Sequence, residues 1–172
     1  EELIQNCIFL LNAGHETTTS FVGNSVGLLM DNPDQHRMLL DDPDLIGSAV
    51  EEFLRVESPL QIGNRLAGED IELSTGVLPK GTYIHTSIAA ANRDPDVFPD
   101  PDRLDIRRRP NRQIAFITGI HVCLGASLAR VEGKIALGKF VRRFPKLAAN
   151  GPRTRVPLAR FRGYATLPVR VR

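Results

Sequence analysis

The chain has 172 residues, of which 42% are hydrophobic, and its 22 basic and 20 acidic side chains leave a net charge of +2. This length suits one ordinary domain, and the apolar share excludes an intrinsically disordered chain. The near balance of charge names no acidic partner, and the longest apolar runs are too short to cross a bilayer. The two cysteines form no disulfide framework and favour a reducing cytoplasm.

The first part of the chain predicts three helices. Apolar residues recur at helical spacing over residues 3–30, with Gly14 inside the pattern, and predict one helix of about 30 residues, roughly 45 Å long. Pro33 begins a short second helix, and Pro43 begins a third that ends before Pro59. Because the chain opens inside an apolar helical pattern, we expect it to be the middle of something larger.

The rest of the chain predicts small sheets, one coil and a last helix. Residues 61–74 and 82–88 read as strands between turn sequences. Residues 92–113 are rich in Pro, Asp and Arg and predict an ordered coil or loop. A helix is expected from about 124 to 144, followed by short β runs. The expected fold class is mainly α with small β-sheets, an α+β arrangement.

Cys123 lies in a short loop, FITGIHVCLG, directly before the last predicted helix. A zinc site is disfavoured because His121 and Cys123 supply only two of the four ligands needed, and a cysteine hydrolase would need a base besides His121. A buried structural thiol is the common case for a free cysteine. A thiolate near a helix N-terminus, flanked by Gly119 and Gly125, also suits axial ligation of haem iron.

Five motifs, in the same order along the chain, resemble those of the cytochrome P-450 family of soluble bacterial type. They are AGHETT at 13–18, EEFLR at 51–55, ANRDP at 91–95, PDRLD at 101–105 and FITGIHVCLG at 116–125. The resemblance covers the whole chain. It implies a single haem-binding portion, residues 1–172, that corresponds to the C-terminal half of the family fold. That half runs from the long distal helix through the cysteine loop and the following helix to the terminal β hairpins, and the family's N-terminal half is absent.

The resemblance implies haem b as the cofactor and Cys123 as the ligand of its iron. His121 and Arg65 match residues that bond the haem propionates. The full set of expected cofactor-binding residues is Ala13, Gly14, Arg65, Phe116, Gly119, His121, Cys123 and Gly125.

The resemblance assigns catalysis to Glu16 and Thr17. Glycine inside a helix costs about 1 kcal/mol relative to alanine, and we expect the Thr17 hydroxyl to bond the carbonyl of Ala13. Together Gly14 and Thr17 are expected to open the helix into a groove for dioxygen. The implied roles are that Glu16 brings protons from solvent and Thr17 holds the water that delivers them. The plain alternative is a threonine-rich stretch of exposed helix.

Glu52 and Arg55 stand three residues apart, which places them on one helix face where they can pair. The resemblance implies that Arg103 joins them in a buried network that holds the cysteine loop. All three are therefore assigned to structure.

The basic residues around the loop suggest where a partner docks. They are Arg107, Arg108, Arg109, Arg112, Arg130, Lys134, Lys139, Arg142 and Arg143. By resemblance this face would receive a ferredoxin-type electron donor, with a solvated surface as the alternative. Nucleic acid is not expected, because no aromatic residues interleave with the arginines. The implied activity is hydroxylation of a small hydrophobic substrate with dioxygen.

Three residues near Cys123 depart from the family pattern: Ile117 stands where the family usually has Gly, Gln113 where it often has His, and Val122 where it often has an aromatic residue. If position 117 needs a positive φ, a β-branched residue there costs about 1–3 kcal/mol. These departures and the missing half raise the alternative of a truncated, non-catalytic relative that acts as a haem-binding or protein-interaction module. An uncovered distal face would also favour self-association.

Overall fold

The computed structural model describes residues 1–172, and helices and strands take 45% and 17% of them. The α+β prediction is confirmed. The helices are α1 (Glu2–Asp31), α2 (Pro33–Asp41), α3 (Ile46–Val56), α4 (Ile88–Ala91) and α5 (Ala126–Arg143). A 3-10 turn at Pro43–Leu45 precedes α3, so the third helix begins three residues later than Pro43 predicts. The sequence did not predict α4, a four-residue turn that Ser87 caps by accepting the Ala90 N–H at 3.2 Å.

Helix α1 is the longest element and runs without a break past Gly14. It ends where the Asn32 backbone N–H and side chain both donate to the Leu28 carbonyl, and Pro33 then starts α2. Burial divides the helix into two parts. Residues 1–16 are all exposed, whereas Phe21 and Leu29 are 3% and 1% exposed.

The hydrophobic core is built around α3, whose Ala49, Val50 and Phe53 are completely buried. The second half of α1 and helix α5 pack against it. Gly133 on α5 permits this close approach, because a Cβ there would lie 2.6 Å from Cε1 of Phe21. The core members are Phe21, Val26, Leu29, Leu39, Ala49, Val50, Phe53, Leu54, Val56, Leu104, Ile106, Leu137 and Val141.

The strands form four antiparallel two-stranded sheets at the edges of the helical core. The pairs are β1 (Ile62–Leu66) with β4 (Tyr83–Ser87), β2 (Ile71–Leu73) with β3 (Gly76–Leu78), β5 (Leu147–Ala149) with β8 (Val169–Val171), and β6 (Thr154–Arg155) with β7 (Tyr164–Thr166). A bridge between Leu60 and Phe161 joins the region before β1 to the tail. The small sheets that the sequence predicts are confirmed.

The predicted coil at 92–113 contains no helix or strand, yet it is held in place. Asn92 is completely buried, accepts the Ile114 N–H at 2.8 Å and donates to the Ser58 hydroxyl at 3.1 Å. These bonds tie both ends of the coil to the end of α3. Within the 172 residues, every helix falls short, in length or in hydropathy, of what a membrane crossing needs.

Candidate functional site

A cleft of about 750 Å³ lies between α1 and the loop before α5. One wall is formed by residues 9–18 of α1, and the facing wall by the loop and the start of α5. This volume falls within the range of small-molecule and cofactor sites, roughly 300–1,000 Å³. Of the 25 residues that line the cleft, 14 are hydrophobic, so its walls are mainly apolar.

Cys123 faces this cleft from a tightly folded loop. Its backbone N–H donates to the Phe116 carbonyl at 2.9 Å, and its carbonyl accepts the Ala126 N–H at 3.2 Å. Gly119, at φ +74, turns the chain between Phe116 and Cys123. The thiol is exposed, which contradicts the alternative of a buried structural cysteine. It stands three residues before α5 begins, close to the free N–H groups of a helix N-terminus.

Ile117 adopts a positive φ of 59° in the same loop. The structure therefore places a β-branched residue in the left-handed region, the condition under which the sequence predicts strain. Its backbone N–H donates to the Ile114 carbonyl at 2.8 Å, and its side chain lines the cleft. The loop can hold this conformation because the surrounding turn is closed by the Cys123–Phe116 bond.

The predicted catalytic pair lies on the opposite wall. Glu16 is exposed and Thr17 is half-buried, and both line the cleft. The Thr17 hydroxyl donates to the Ala13 carbonyl at 2.7 Å, as expected from the sequence. The predicted opening of the helix is wrong for this structure, because α1 stays helical through Gly14 and Thr17. A threonine can bond the carbonyl four residues earlier without breaking the helix.

The structure brings most, but not all, of the predicted cofactor-binding residues to the cleft. Those that line it are Ala13, Gly14, Phe116, His121, Cys123 and Gly125. Gly119 shapes the loop without lining the cleft. Arg65 lies on β1, outside the lining residues, and its Nη1 donates to the Asn64 carbonyl at 2.7 Å. The other N–H donors of its guanidinium make no side-chain hydrogen bond, so the role predicted for Arg65 stays a prediction.

Glu52 and Arg55 form a completely buried ion pair with two bonds of 2.8 and 2.9 Å. The prediction that the Arg103 side chain is the third member of this network is wrong. The Arg103 backbone carbonyl accepts a hydrogen bond from Arg55 at 3.0 Å, but the Arg103 side chain does not join the pair. The side chain that does is Arg108, whose Nε lies 3.2 Å from Glu52. The coil turns between 103 and 108, so the later arginine points inward.

A second network, which the sequence did not predict, joins Glu51 to Arg130. The Arg130 guanidinium makes two bonds to the Glu51 carboxylate, at 2.6 and 3.1 Å, and Gln113 Nε2 donates to the same group at 2.8 Å. Burial alone would raise the pKa of Glu51, but the hydrogen bonds from Arg130 and Gln113 hold that pKa below its usual value. The hydrogen bonds and charge of Glu51 in turn raise the pKa of Arg130 and outweigh the lowering effect of burial.

The basic face is smaller than predicted from the sequence. Arg108 and Arg130 form ion pairs with Glu52 and Glu51, so two of the nine basic residues are neutralised by partners within the chain. The remaining members are Arg107, Arg109, Arg112, Lys134, Lys139, Arg142 and Arg143. The pairing of Arg130 with a residue 79 positions away gives no local signal in the sequence.

Fold and site together define a protein that presents one thiol to an apolar cleft beneath a long helix. The family model for cytochrome P450 matches residues 1–160. The chain is 46% identical over 170 residues to the biotin biosynthesis cytochrome P450 of Bacillus subtilis, covering 98% of this chain and 43% of that protein. It is 49% identical over 149 residues to a vitamin D(3) 25-hydroxylase of Pseudonocardia autotrophica, covering 86% and 37%. The chain belongs to the cytochrome P450 family.

Solved structures agree with this assignment. P450BioI, in complex with an acyl carrier protein that carries hexadec-9Z-enoic acid, matches with a TM-score of 0.94 and 45% identity, over 96% of this chain and 44% of that one. CYP109E1 of Bacillus megaterium with corticosterone matches with a TM-score of 0.95 and 35% identity, over 99% and 46%. The chain therefore spans less than half the length of the relatives it matches, and its fold is that of the corresponding part of these proteins.

Membership of this family implies a haem cofactor, and the residues present fit one. No three His, Cys, Asp or Glu side chains converge in a group that could hold a metal ion. The cleft offers a single exposed thiol and broad apolar walls, which suits an iron whose other ligands come from a flat macrocycle. Cys123 would hold the iron, and the apolar walls would contact the ring.

Proposed function

We propose that residues 1–172 form one haem-binding unit of a haem-thiolate monooxygenase that hydroxylates a small hydrophobic substrate. The observation that carries this proposal is the exposed Cys123 thiol, which faces the wall containing Glu16 and Thr17 across an apolar cleft. We take the cofactor to be haem b. When bound, it supplies dioxygen activation and oxygen insertion, with electrons from a redox partner.

The position of Cys123 before α5 favours the thiolate form that an iron ligand must have. Ligation requires the thiolate, and the free N–H groups at the start of α5 stabilise an anion at that position. His121 lines the cleft and can donate to a carboxylate of the cofactor. Arg65 can give a second such contact through the N–H donors that the Asn64 carbonyl does not use.

Glu16 and Thr17 supply the protons. Glu16 is exposed to solvent and can take up protons there. The Thr17 hydroxyl donates to Ala13 and keeps its lone pairs free to accept from a water in the cleft. Such a water would lie at the wall of the cleft that faces Cys123 and could pass a proton into the site.

The substrate class follows from the lining and from the relatives. The walls are mainly apolar, and the chain's relatives include a vitamin D(3) 25-hydroxylase and proteins solved with a steroid and with a fatty-acyl carrier protein. A small hydrophobic molecule is therefore the proposed substrate.

We propose an acidic ferredoxin as the electron donor, bound at the basic residues that remain free of partners. We also propose a cytoplasmic location.

The uncovered apolar surface of α1 favours self-association when nothing else covers it. Leu3 and Leu11 are 75% and 71% exposed on the part of the helix that extends beyond the core. The alternative, a non-catalytic interaction module, is not favoured, because an exposed thiol and the proposed pair that face each other across one apolar cleft support a monooxygenase.

The deciding experiment is optical. The protein is loaded with haem, reduced and exposed to carbon monoxide, and the expected result is the red-shifted Soret band of thiolate-ligated haem. Cys123→Ser should abolish this band, whereas Cys7→Ser, which changes the other exposed cysteine, should leave it unchanged. Absence of the band in the unaltered protein would refute the proposed function. Its persistence in Cys123→Ser would refute the ligand assignment.

A second experiment tests the proton route. Thr17→Ala should retain haem but consume dioxygen without forming product, because the water is no longer held. Thr19→Ala is a matched control, since Thr19 makes the same type of bond to the His15 carbonyl at 2.8 Å but does not line the cleft. Coupled turnover in Thr17→Ala would contradict the assigned role.

A further inference from the structure

The residues around Glu51 connect three separate parts of the chain at the cysteine loop. Glu51 comes from α3, Gln113 from the coil and Arg130 from the second turn of α5. All three meet in bonds of 3.1 Å or less. Gln113 also accepts the Ala115 N–H through Oε1 at 2.6 Å, which fixes the chain just before the loop.

Arg130 also contacts the loop itself. Its guanidinium carbon lies 4.5 Å from the centre of the Phe116 ring, the geometry of a cation–π contact. The carbonyl of this same Phe116 accepts the Cys123 N–H at 2.9 Å. One side chain therefore touches the residue whose backbone closes the turn around the thiol.

The planar guanidinium is essential to this arrangement. It donates two hydrogen bonds to Glu51 while its central carbon lies over the Phe116 ring, and a lysine ammonium lacks the planar fork for both contacts. Both partners are partly shielded from water, with 36% of the Arg130 and 26% of the Glu51 side chain exposed. Such a pair holds its geometry better than an open surface pair.

We propose that Arg130, held by Glu51 and Gln113, is a positioning residue that clamps the Phe116 side of the loop and keeps the turn around Cys123 closed. This role goes beyond the proposed function and rests on it where the haem is concerned. It differs from the docking role that the sequence suggests for Arg130. A docking cation would point to solvent, whereas this one is bound to α3.

We call the contacts of Glu51, Gln113 and Arg130 the clamp. It complements the hydrogen bonds of Glu52, which hold a different part of the same coil. Glu52 accepts from the Asp105 backbone and from the side chains of Arg108 and Asn111. Glu51 holds the chain from Gln113 onward. Two adjacent glutamates on α3 thus fix successive stretches of the coil that leads to Cys123.

The test measures hydrogen exchange at the Cys123 amide in the intact protein without haem. Arg130→Gln should speed this exchange roughly tenfold, because the turn opens more often, while amides in the core of α3 exchange at their original rate. Arg130→Lys should resemble Arg130→Gln. Glu51→Gln should give a smaller effect in the same direction, since it retains one acceptor.

Arg143→Gln is the matched control, because Arg143 lies over the Phe144 ring at the far end of the same helix, 5.9 Å from its centre. It should leave Cys123 exchange unchanged. Full protection in Arg130→Lys would overturn the proposal, because charge alone would then suffice. An equal acceleration at α3 amides would also overturn it, since the effect would be loss of global stability.

A spectroscopic readout extends the test to the loaded protein. In Arg130→Gln, part of the reduced carbon monoxide complex should lose the thiolate-type Soret band, while Arg143→Gln keeps it. An unchanged spectrum with unchanged exchange would refute the clamp. If the unaltered protein forms no thiolate-ligated haem, the proposed function fails, but the exchange measurement still decides the clamp.

Discussion

The two parts of helix α1 have similar apolar sequences but opposite environments. Phe21 and Leu29 are buried in the core, whereas Leu3, Ile4 and Leu11 are between 64% and 75% exposed. We call the first environment the packed side, formed by residues 18–31 of α1 with α2, α3 and α5. The open side comprises residues 2–17 of α1 and the loop at 116–125. The proposed chemistry lies on the open side, and the ion pairs of Glu51 and Glu52 that hold the loop begin at α3 on the packed side.

The largest effect is expected from breaking the packed side at Arg55. Arg55→Met should lower the free energy of unfolding by about 3–5 kcal/mol, because Glu52 is left as a buried charge without its main partner. Urea denaturation measures this loss. Arg103→Ala should cost less than about 0.5 kcal/mol, since its side chain is outside the pair. Equal losses in the two variants would contradict the replacement of Arg103 by Arg108.

Glycines on α1 and α5 give a direct comparison of the two sides. Gly133→Ala should lower the free energy of unfolding by about 1–3 kcal/mol, because the new methyl group collides with the buried Phe21 ring. Gly14→Ala lies on the open side with nothing within 4 Å and should stabilise the helix by about 1 kcal/mol. Thermal or urea unfolding distinguishes these opposite signs, and destabilisation by Gly14→Ala would show that the open side is more constrained than the structure suggests.

The open side contains its own strain at Ile117. Ile117→Gly should raise the free energy of unfolding by about 1 kcal/mol, because glycine accepts a φ of 59° without the steric cost. Ile120→Gly is the control: Ile120 is 97% exposed and has no positive φ, so glycine there should destabilise by up to about 1 kcal/mol. A loss of stability in Ile117→Gly would mean that side-chain contacts in the cleft outweigh the backbone strain.

The smallest effect is a pH dependence on the packed side. Burial, with a contribution from Arg37, lowers the pKa of His36 below 6.5, and its Nε2 has no hydrogen-bond partner. The unfolded chain therefore binds this proton more readily than the folded one, so the free energy of unfolding should fall as the pH drops through about 6.5. Urea denaturation of His36→Gln should show a shallower fall. Parallel curves for the two proteins would contradict the assignment.

The sequence predicted the parts of the fold that depend on periodicity or on local turn residues. Helices α1 and α5 and the coil at 92–113 belong to this group, and the motif around Cys123 located the exposed thiol. The same periodicity cannot tell which part of α1 is covered, since an apolar stripe reads alike whether or not a neighbour packs on it.

The errors concern contacts between distant segments. The PDRLD motif predicts Arg103 as the partner of Glu52. The coil after Leu104 instead brings the Arg108 side chain to Glu52. The Glu51–Arg130 pair joins residues of two helices and has no sequence spacing to reveal it. The sequence predicts strain at Ile117 only if φ at that position is positive, and the sign of φ depends on how the loop closes.

The adjacent glutamates of α3 limit how this protein can be recombined with its relatives. Each residue added to or removed from a helix rotates the later residues by about 100°, so an insertion within α3 ahead of Glu51 would turn both carboxylates away from Arg108 and Arg130. A chimera that takes α3 from one parent and the coil with α5 from another inherits two independent sets of partners that must both match. Crossover points that keep residues 46–130 as one block preserve them, whereas the small hairpins after Phe144 can be exchanged without touching either glutamate.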